Sequence, residues 1–127
     1  MKKLILILLF STVMFSSSSY AGWTVLGKTA DGDTFYVDYE RIRKHDGYVY
    51  WWELNDYLKP TKYGDLSGKT YRQGDCKLFR YKSLSYVHHN QPMGRDTGDS
   101  NSPKNPEWKY LPPNTIWETI LKAVCSR

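Results

Sequence analysis

Two cysteines, a histidine pair and a few spaced carboxylates are the only side chains here whose type and spacing could do chemistry. Cys76 lies in the stretch GDCKLFRY and Cys125 two residues from the end. Two thiols can hold a metal, work as a redox couple or close a disulfide. No CxxC is present and no histidine stands at ligand spacing from either cysteine, which removes the first two. His88 and His89 are neighbours on an extended run, so they point to opposite sides and do not share a metal ion; they read as exposed loop histidines. The DGD of Asp31 to Asp33 lacks the later oxygen ligands of a calcium loop and reads as a hairpin turn. Glu53 and Asp56 are three apart on a strand and face opposite ways, so they form no acid/base pair. Ser83 and Ser85 have no nucleophile-elbow glycines. The reading is a chain without catalytic residues, cofactor or metal.

The cysteines are explained by compartment. The first 21 residues, MKKLILILLFSTVMFSSSSYA, show a Lys2-Lys3 head, a short apolar run and small residues at 19 and 21, the pattern of a cleaved export signal. Residues 22–127 then form one domain in an oxidising compartment, where two cysteines pair. Loss of Lys2 and Lys3 lowers the formal net charge from +5 to +3. No cysteine stands near the cleavage position to take a lipid, so the product is expected to be periplasmic or secreted.

The elements that must position these residues are mainly strands. WTVLG, DTFYVDY and YVYWWELNDY are rich in aromatic and β-branched residues and separated by turn signals, of which Asp46-Gly47 is the strongest. KTYRQGD and CKLFRYKSLSY suggest a further pair of strands around Gly74. From Val87 to Pro106 the pattern dissolves into a proline- and glycine-rich loop, and EWKYL resumes briefly as a strand. TIWETILKAVCSR changes period: Thr115 and Glu118 make a capping-box pattern, and Ile116, Trp117, Ile120, Leu121 and Val124 form one apolar stripe with Cys125 at its edge. The fold class is α+β. A bond from Cys76 to Cys125 staples a helix too short to stand alone onto a sheet face.

A surface is the remaining functional feature. Trp51 and Trp52 alternate across their strand, so the helix covers one and leaves the other. Trp52 is assigned to the core because Tyr50 and Leu54 share its face, and Trp51 to binding, with His88 and Arg95 as neighbours. Continuous alternation from Cys76 puts Arg80 and Lys82 on the face of Leu78 and Leu84, so either the middle of that strand lies beyond the helix footprint or Arg80 pairs with a carboxylate such as Asp38, Glu53 or Asp56; the reading is a partly buried structural pair. Lys59, Lys62, Lys77 and Lys82 suit sulfated glycans or acidic protein surfaces. The same mixture of bases and aromatics could stack single-stranded nucleic acid, but export argues against it.

Several motifs, taken in order, resemble the surface-adhesin protein E family of exported bacterial proteins. They are Trp23, YVD at Tyr36 to Asp38, the strand around Trp51 and Trp52, Asp75-Cys76 with Arg80-Tyr81, PMG at Pro92 to Gly94, and EWKYLPP before the helix ending in Cys125. The resemblance implies a small curved antiparallel sheet of about six strands around a C-terminal helix tethered by the two cysteines. It implies binding of host extracellular or plasma proteins and names no catalytic residue. The alternative is a soluble periplasmic accessory or inhibitor protein with a bacterial partner.

Overall fold

The run YVYWWELND forms the central strand, and every other element is placed relative to it. The computed structural model describes residues 22–127; the export signal expected at 1–21 lies outside them. Within them β1 (Trp23–Lys28), β2 (Thr34–Asp38), β3 (Arg43–His45), β4 (Tyr48–Asp56), β5 (Ser67–Asp75), β6 (Arg80–His89), β7 (Asp99–Asn101) and β8 (Lys109–Tyr110) precede one helix, α1 (Ile116–Cys125). All eight strands join one antiparallel sheet with the main path β1-β2-β4-β5-β6-β7; β3 is added beside β4 and β8 beside β6. Six of the eight, β1, β2, β4, β5, β6 and β8, fall in the strand-like runs read from the sequence, whereas β3 was not read there and β7 lies in the stretch read as a loop.

β3 and β4 are joined by Asp46 and Gly47, both with positive φ (50° and 82°). That is the two-residue hairpin turn whose twist matches the strands, and Asp-Gly is a preferred sequence for it. It fixes the register His45 to Tyr48, Lys44 to Val49 and Arg43 to Tyr50.

Alternation along β4 sends Val49, Trp51 and Glu53 to one face and Tyr48, Tyr50, Trp52 and Leu54 to the other. α1 covers the first face. Its Ile120, Leu121 and Val124 are buried against Phe35, Val37, Val49 and Trp51, each side chain contributing roughly 1.5–3 kcal/mol. Gly74 lies under this contact: a Cβ there would come within 2.8 Å of the Trp51 ring and 2.9 Å of Leu121. The helix begins at Thr115, whose hydroxyl accepts the Glu118 N–H, while the Glu118 carboxylate accepts the N–H of Asn114. This is the predicted reciprocal cap, displaced by one residue on its second arm.

The tryptophan assignment is therefore reversed. Trp51 is 1% exposed and belongs to the helix-covered core, whereas Trp52 is half-buried on the opposite face. Tyr50 and Leu54 do share a face with Trp52, but it is not the face the helix covers. Leu54 is buried there by a different cover, the segment after β6.

That segment is more ordered than a structureless loop. β6 continues through His89, Pro92–Gly94 makes a 3-10 turn, and β7 pairs back onto β6. The turn sits on the sheet because the Asp56 carboxylate accepts the Met93 N–H at 2.8 Å and the Ser67 hydroxyl accepts the Gly94 N–H at 2.8 Å. Gly98 (φ 74°) passes so close to His89 that a Cβ would lie 2.7 Å from its Nδ1. His89 is thus buried rather than exposed, its Nδ1 3.1 Å from the Asp96 carboxylate. Burial pushes the Asp96 carboxyl up, but the Asn90 N–H and His89 more than offset it and leave it below the usual range.

The disulfide joins Cys76 to Cys125, with Cα atoms 5.9 Å apart. Cys76 is not the start of a strand, as continuous alternation implied; it occupies the four-residue turn between β5 and β6. Asp75 holds this turn, its Oδ1 accepting the Lys77 and Leu78 N–H groups at 3.1 Å each and its Oδ2 lying 3.0 Å from Arg80 Nε. The Leu78 N–H foremost, with the Arg80 and Lys77 bonds, holds the Asp75 carboxyl below the usual range against the opposing effect of burial.

Two outcomes follow. A link across 49 residues is worth about 4 kcal/mol in the chain-entropy model. Cys125→Ala is therefore expected to destabilise the domain by about 2–4 kcal/mol and to release the amides of Ile116 to Val124 first in hydrogen exchange; undiminished protection there would show that the staple does not hold the helix. For Asp75, a folded pKa lower than the unfolded one gives stability that is complete above pH ~4 and disappears as pH falls through the folded value. The melting-temperature gap between the parent and Asp75→Asn should be constant from pH 7 to 5 and narrow below about pH 4.

Candidate functional site

The helix-covered face is closed by a buried ion pair. Arg72 Nε lies 2.8 Å from Glu53 Oε1, which also accepts the Trp51 indole N–H at 3.0 Å, and the guanidinium stacks 4.7 Å from the Tyr81 ring centroid. Arg72 Nη1 donates to Ser83. Burial works to lower the Arg72 pKa, and the neighbouring Glu53 carboxylate more than reverses this. Glu53 is 1% exposed and serves to neutralise Arg72, a structural role. Sequence reasoning placed the buried cation at Arg80, with Asp38, Glu53 or Asp56 as partner; the structure pairs Arg80 with Asp75 and Glu53 with Arg72. The reason is a β-bulge at Leu84, where the register passes from Tyr71–Ser85 to Arg72–Ser83. The extra residue turns Arg80 and Lys82 away from the covered face.

On the opposite face Tyr48, Tyr50, Trp52 and Tyr71 are only half-buried. Tyr50 and Tyr71 stack with centroids 6.2 Å apart, and Trp52 tilts against Tyr71 at 5.0 Å. Tyr48 meets Trp108 at 5.5 Å, and Arg80 and Lys82 both lie over the Trp108 ring, at 4.3 and 4.6 Å. On the other flank Arg43, in register with Tyr50, donates from Nη2 to the Tyr71 hydroxyl at 3.3 Å. The result is a strip of aromatic rings fenced by cations on both sides.

Two shallow clefts are cut into this strip and share Arg43 and Tyr71. One, of about 330 Å³, is lined also by Lys44, His45 and Tyr50; the other, of about 340 Å³, by Glu40, Arg41 and Trp52. Glu40 is the only carboxylate lining either cleft among the described residues, and Arg41 lies 3.4 Å from Asp38. Aromatic side chains with polar tips and guanidinium groups are the residue types enriched in binding hot spots.

Of the binding candidates read from the sequence, Lys82 alone joins this strip; Arg80, read as a structural pair, lies beside it over Trp108. Trp51 is in the core. His88 is exposed at the end of β6, its Nδ1 3.6 Å from Asp65, and Lys77 stands in the disulfide turn. Arg95 lines a separate cleft with Trp23, Tyr36 and Met93. Arg43, Tyr50, Trp52 and Tyr71 replace them. Arg43 could have been found by counting outward from Asp46-Gly47, since a two-residue turn pairs 45 with 48 and so 43 with 50. Tyr71 and Trp108 depend on register across strands distant in sequence, which no local signal gives. Among the described residues no group of three or more His, Cys, Asp or Glu could hold a metal, and no helix is long and apolar enough to cross a membrane.

The geometry is that of a disulfide-stapled α+β domain with one sheet face covered by the helix and an aromatic, cationic strip on the other. The chain belongs to the surface-adhesin protein E family, whose sequence profile matches residues 23–126. Solved structures of Haemophilus influenzae protein E share the fold. One crystal form superposes with a TM-score of 0.63 at 17% identity, covering 87% of this chain and 91% of that one. A structure of the protein from a non-typeable strain gives 0.58 at 17% identity, covering 87% and 79%. A comparison with curated protein sequences finds no match.

Trp51→Ala is expected to cost about 3–5 kcal/mol, as for a large ring removed from a packed core. Trp52→Ala should cost about 1 kcal/mol, because its ring has one packed side. Urea denaturation of both variants checks this order; equal destabilisation would mean that the open face is packed as tightly as the covered one.

Proposed function

We propose that this protein is an exported, non-catalytic binding module of the adhesin type, with residues 1–21 as a cleaved signal and residues 22–127 as a single domain that contacts host extracellular or plasma proteins. Membership of the surface-adhesin protein E family supports the class. The observation that carries the reading is the open face: Tyr50, Trp52 and Tyr71 form a continuous aromatic strip with no second layer over it among the described residues, with Arg43 on one flank and Lys82 on the other. A large ring left half in water is poorly used as core and well used as contact area. The paired carboxylates, buried Glu53 with Arg72 and Asp75 with Arg80, are occupied in holding the fold. The proposed module therefore acts by contact alone.

Binding of the purified protein to a panel of immobilised extracellular-matrix and plasma proteins tests this. At least one should bind, and Trp52→Ala or Tyr71→Ala should weaken that binding by ten-fold or more while Lys77→Ala, on the disulfide turn, leaves it unchanged. Binding that survives both aromatic substitutions would place the contact elsewhere, and failure of every panel member to bind would remove the host-protein reading.

A further inference from the structure

We infer that the two clefts sharing Arg43 and Tyr71 form a continuous subsite for a sulfated glycan chain, and that this chain is the part of an extracellular partner the open face grips. The inference rests on the binding reading above and specifies its chemistry. Two clefts of nearly equal size, about 330 and 340 Å³, lie side by side with one cation and one phenol common to both. That arrangement suits a linear polymer whose neighbouring units each bring a ring and an anion.

Charge points the same way. Arg41, Arg43 and Lys44 line the pair of clefts against the single carboxylate of Glu40. Lys44 Nζ is held 2.6 Å from a main-chain oxygen of Arg127 and Arg41 lies by Asp38, which leaves Arg43, whose one hydrogen bond among the described residues goes to a neutral hydroxyl. A guanidinium in no ion pair among the described residues, between clefts, presents its remaining N–H fork to a tetrahedral oxyanion.

The aromatic strip distinguishes a glycan from other polyanions. Tyr50, Tyr71 and Trp52 are packed on one another at 5.0 and 6.2 Å, so they leave no slots into which bases could intercalate. They offer tilted faces and hydroxyl tips along the surface instead. The C–H face of a pyranose lies on such rings while its hydroxyls meet the tyrosine tips. An acidic peptide has the charge without a ring in each unit.

The test is calorimetric titration of the disulfide-bonded protein with a heparin-derived octasaccharide, with a fully desulfated octasaccharide, poly-glutamate and single-stranded oligothymidylate as comparison probes. The sulfated octasaccharide should bind best. Arg43→Ala should weaken it by roughly ten-fold and lower the slope of log K against log salt by about one, Trp52→Ala should weaken it at unchanged salt slope, and both variants should keep the parent circular dichroism. Equal binding of poly-glutamate would reduce the site to bulk charge and overturn the inference. Tighter binding of the oligothymidylate would overturn it in favour of nucleic acid. If no octasaccharide binds while an immobilised host protein still does and loses affinity with Trp52→Ala, the glycan inference falls and the protein-binding reading stands. If neither binds, both fall.

Discussion

One short helix covers one face of a single sheet, and this asymmetry sets most of what the molecule can do. α1 is three turns long, too short to be stable alone in water, and it is held by a packed stripe and a covalent link at its last residue. Its footprint decides which residues of each strand are core. Val49 and Trp51 become core because they lie beneath it; Tyr50 and Trp52, one step along the same strand, are left facing outward. No second α-helix is available for that side among the described residues, so the open half of the sheet presents rings that a further layer would bury.

Polar groups on the covered side are arranged to make that layer tolerable. Arg72 could not remain under the helix layer uncompensated, and Glu53 beside it, the Ser83 hydroxyl and the Tyr81 ring together take up its charge. Removing one partner of such a pair typically costs about 3–5 kcal/mol, because the other is left buried and unpaired. The Trp51 indole is tied to the same carboxylate oxygen. The core tryptophan and the ion pair thus form one unit, and the bulge at Leu84 turns Arg80 and Lys82 toward the other face.

The open face is itself divided. At one end the segment after β6 folds over Leu54, Ser67 and His89, fastened by the Asp56, Ser67 and Asp96 side chains. Met93 takes a left-handed conformation (φ 58°) in that turn, a cost borne because its N–H reaches Asp56. At the other end Trp108 comes in from the segment before β8 and lies under Arg80 and Lys82. Between these two covers lies the strip with its clefts. A loop that composition marks as polar and irregular therefore acts as a partial second layer and gives the strip its boundary.

By itself the sequence determined the elements and the staple. Alternation in YVYWWELND, the Asp46-Gly47 turn, the Thr115 cap and the apolar stripe of Ile116 to Val124 are local signals with local physical causes, and a chain with two cysteines has one way to pair them within itself. It also determined that Trp51 and Trp52 lie on opposite faces, since strand geometry permits nothing else. Which face the helix would choose was not legible, because both carry aromatic residues and burial depends on the partner laid against them. The bulge at Leu84 was hidden for a similar reason: an extra residue in one strand is defined only by its neighbour's register, and it reversed the placement of Arg80 and Lys82. The burial of His89 under Gly94 and Gly98, and the meeting of Arg43 with Tyr71 across β4, are contacts between segments far apart in the chain. Only the tertiary structure could decide them, because a strand's side chains acquire an inside and an outside when another layer arrives.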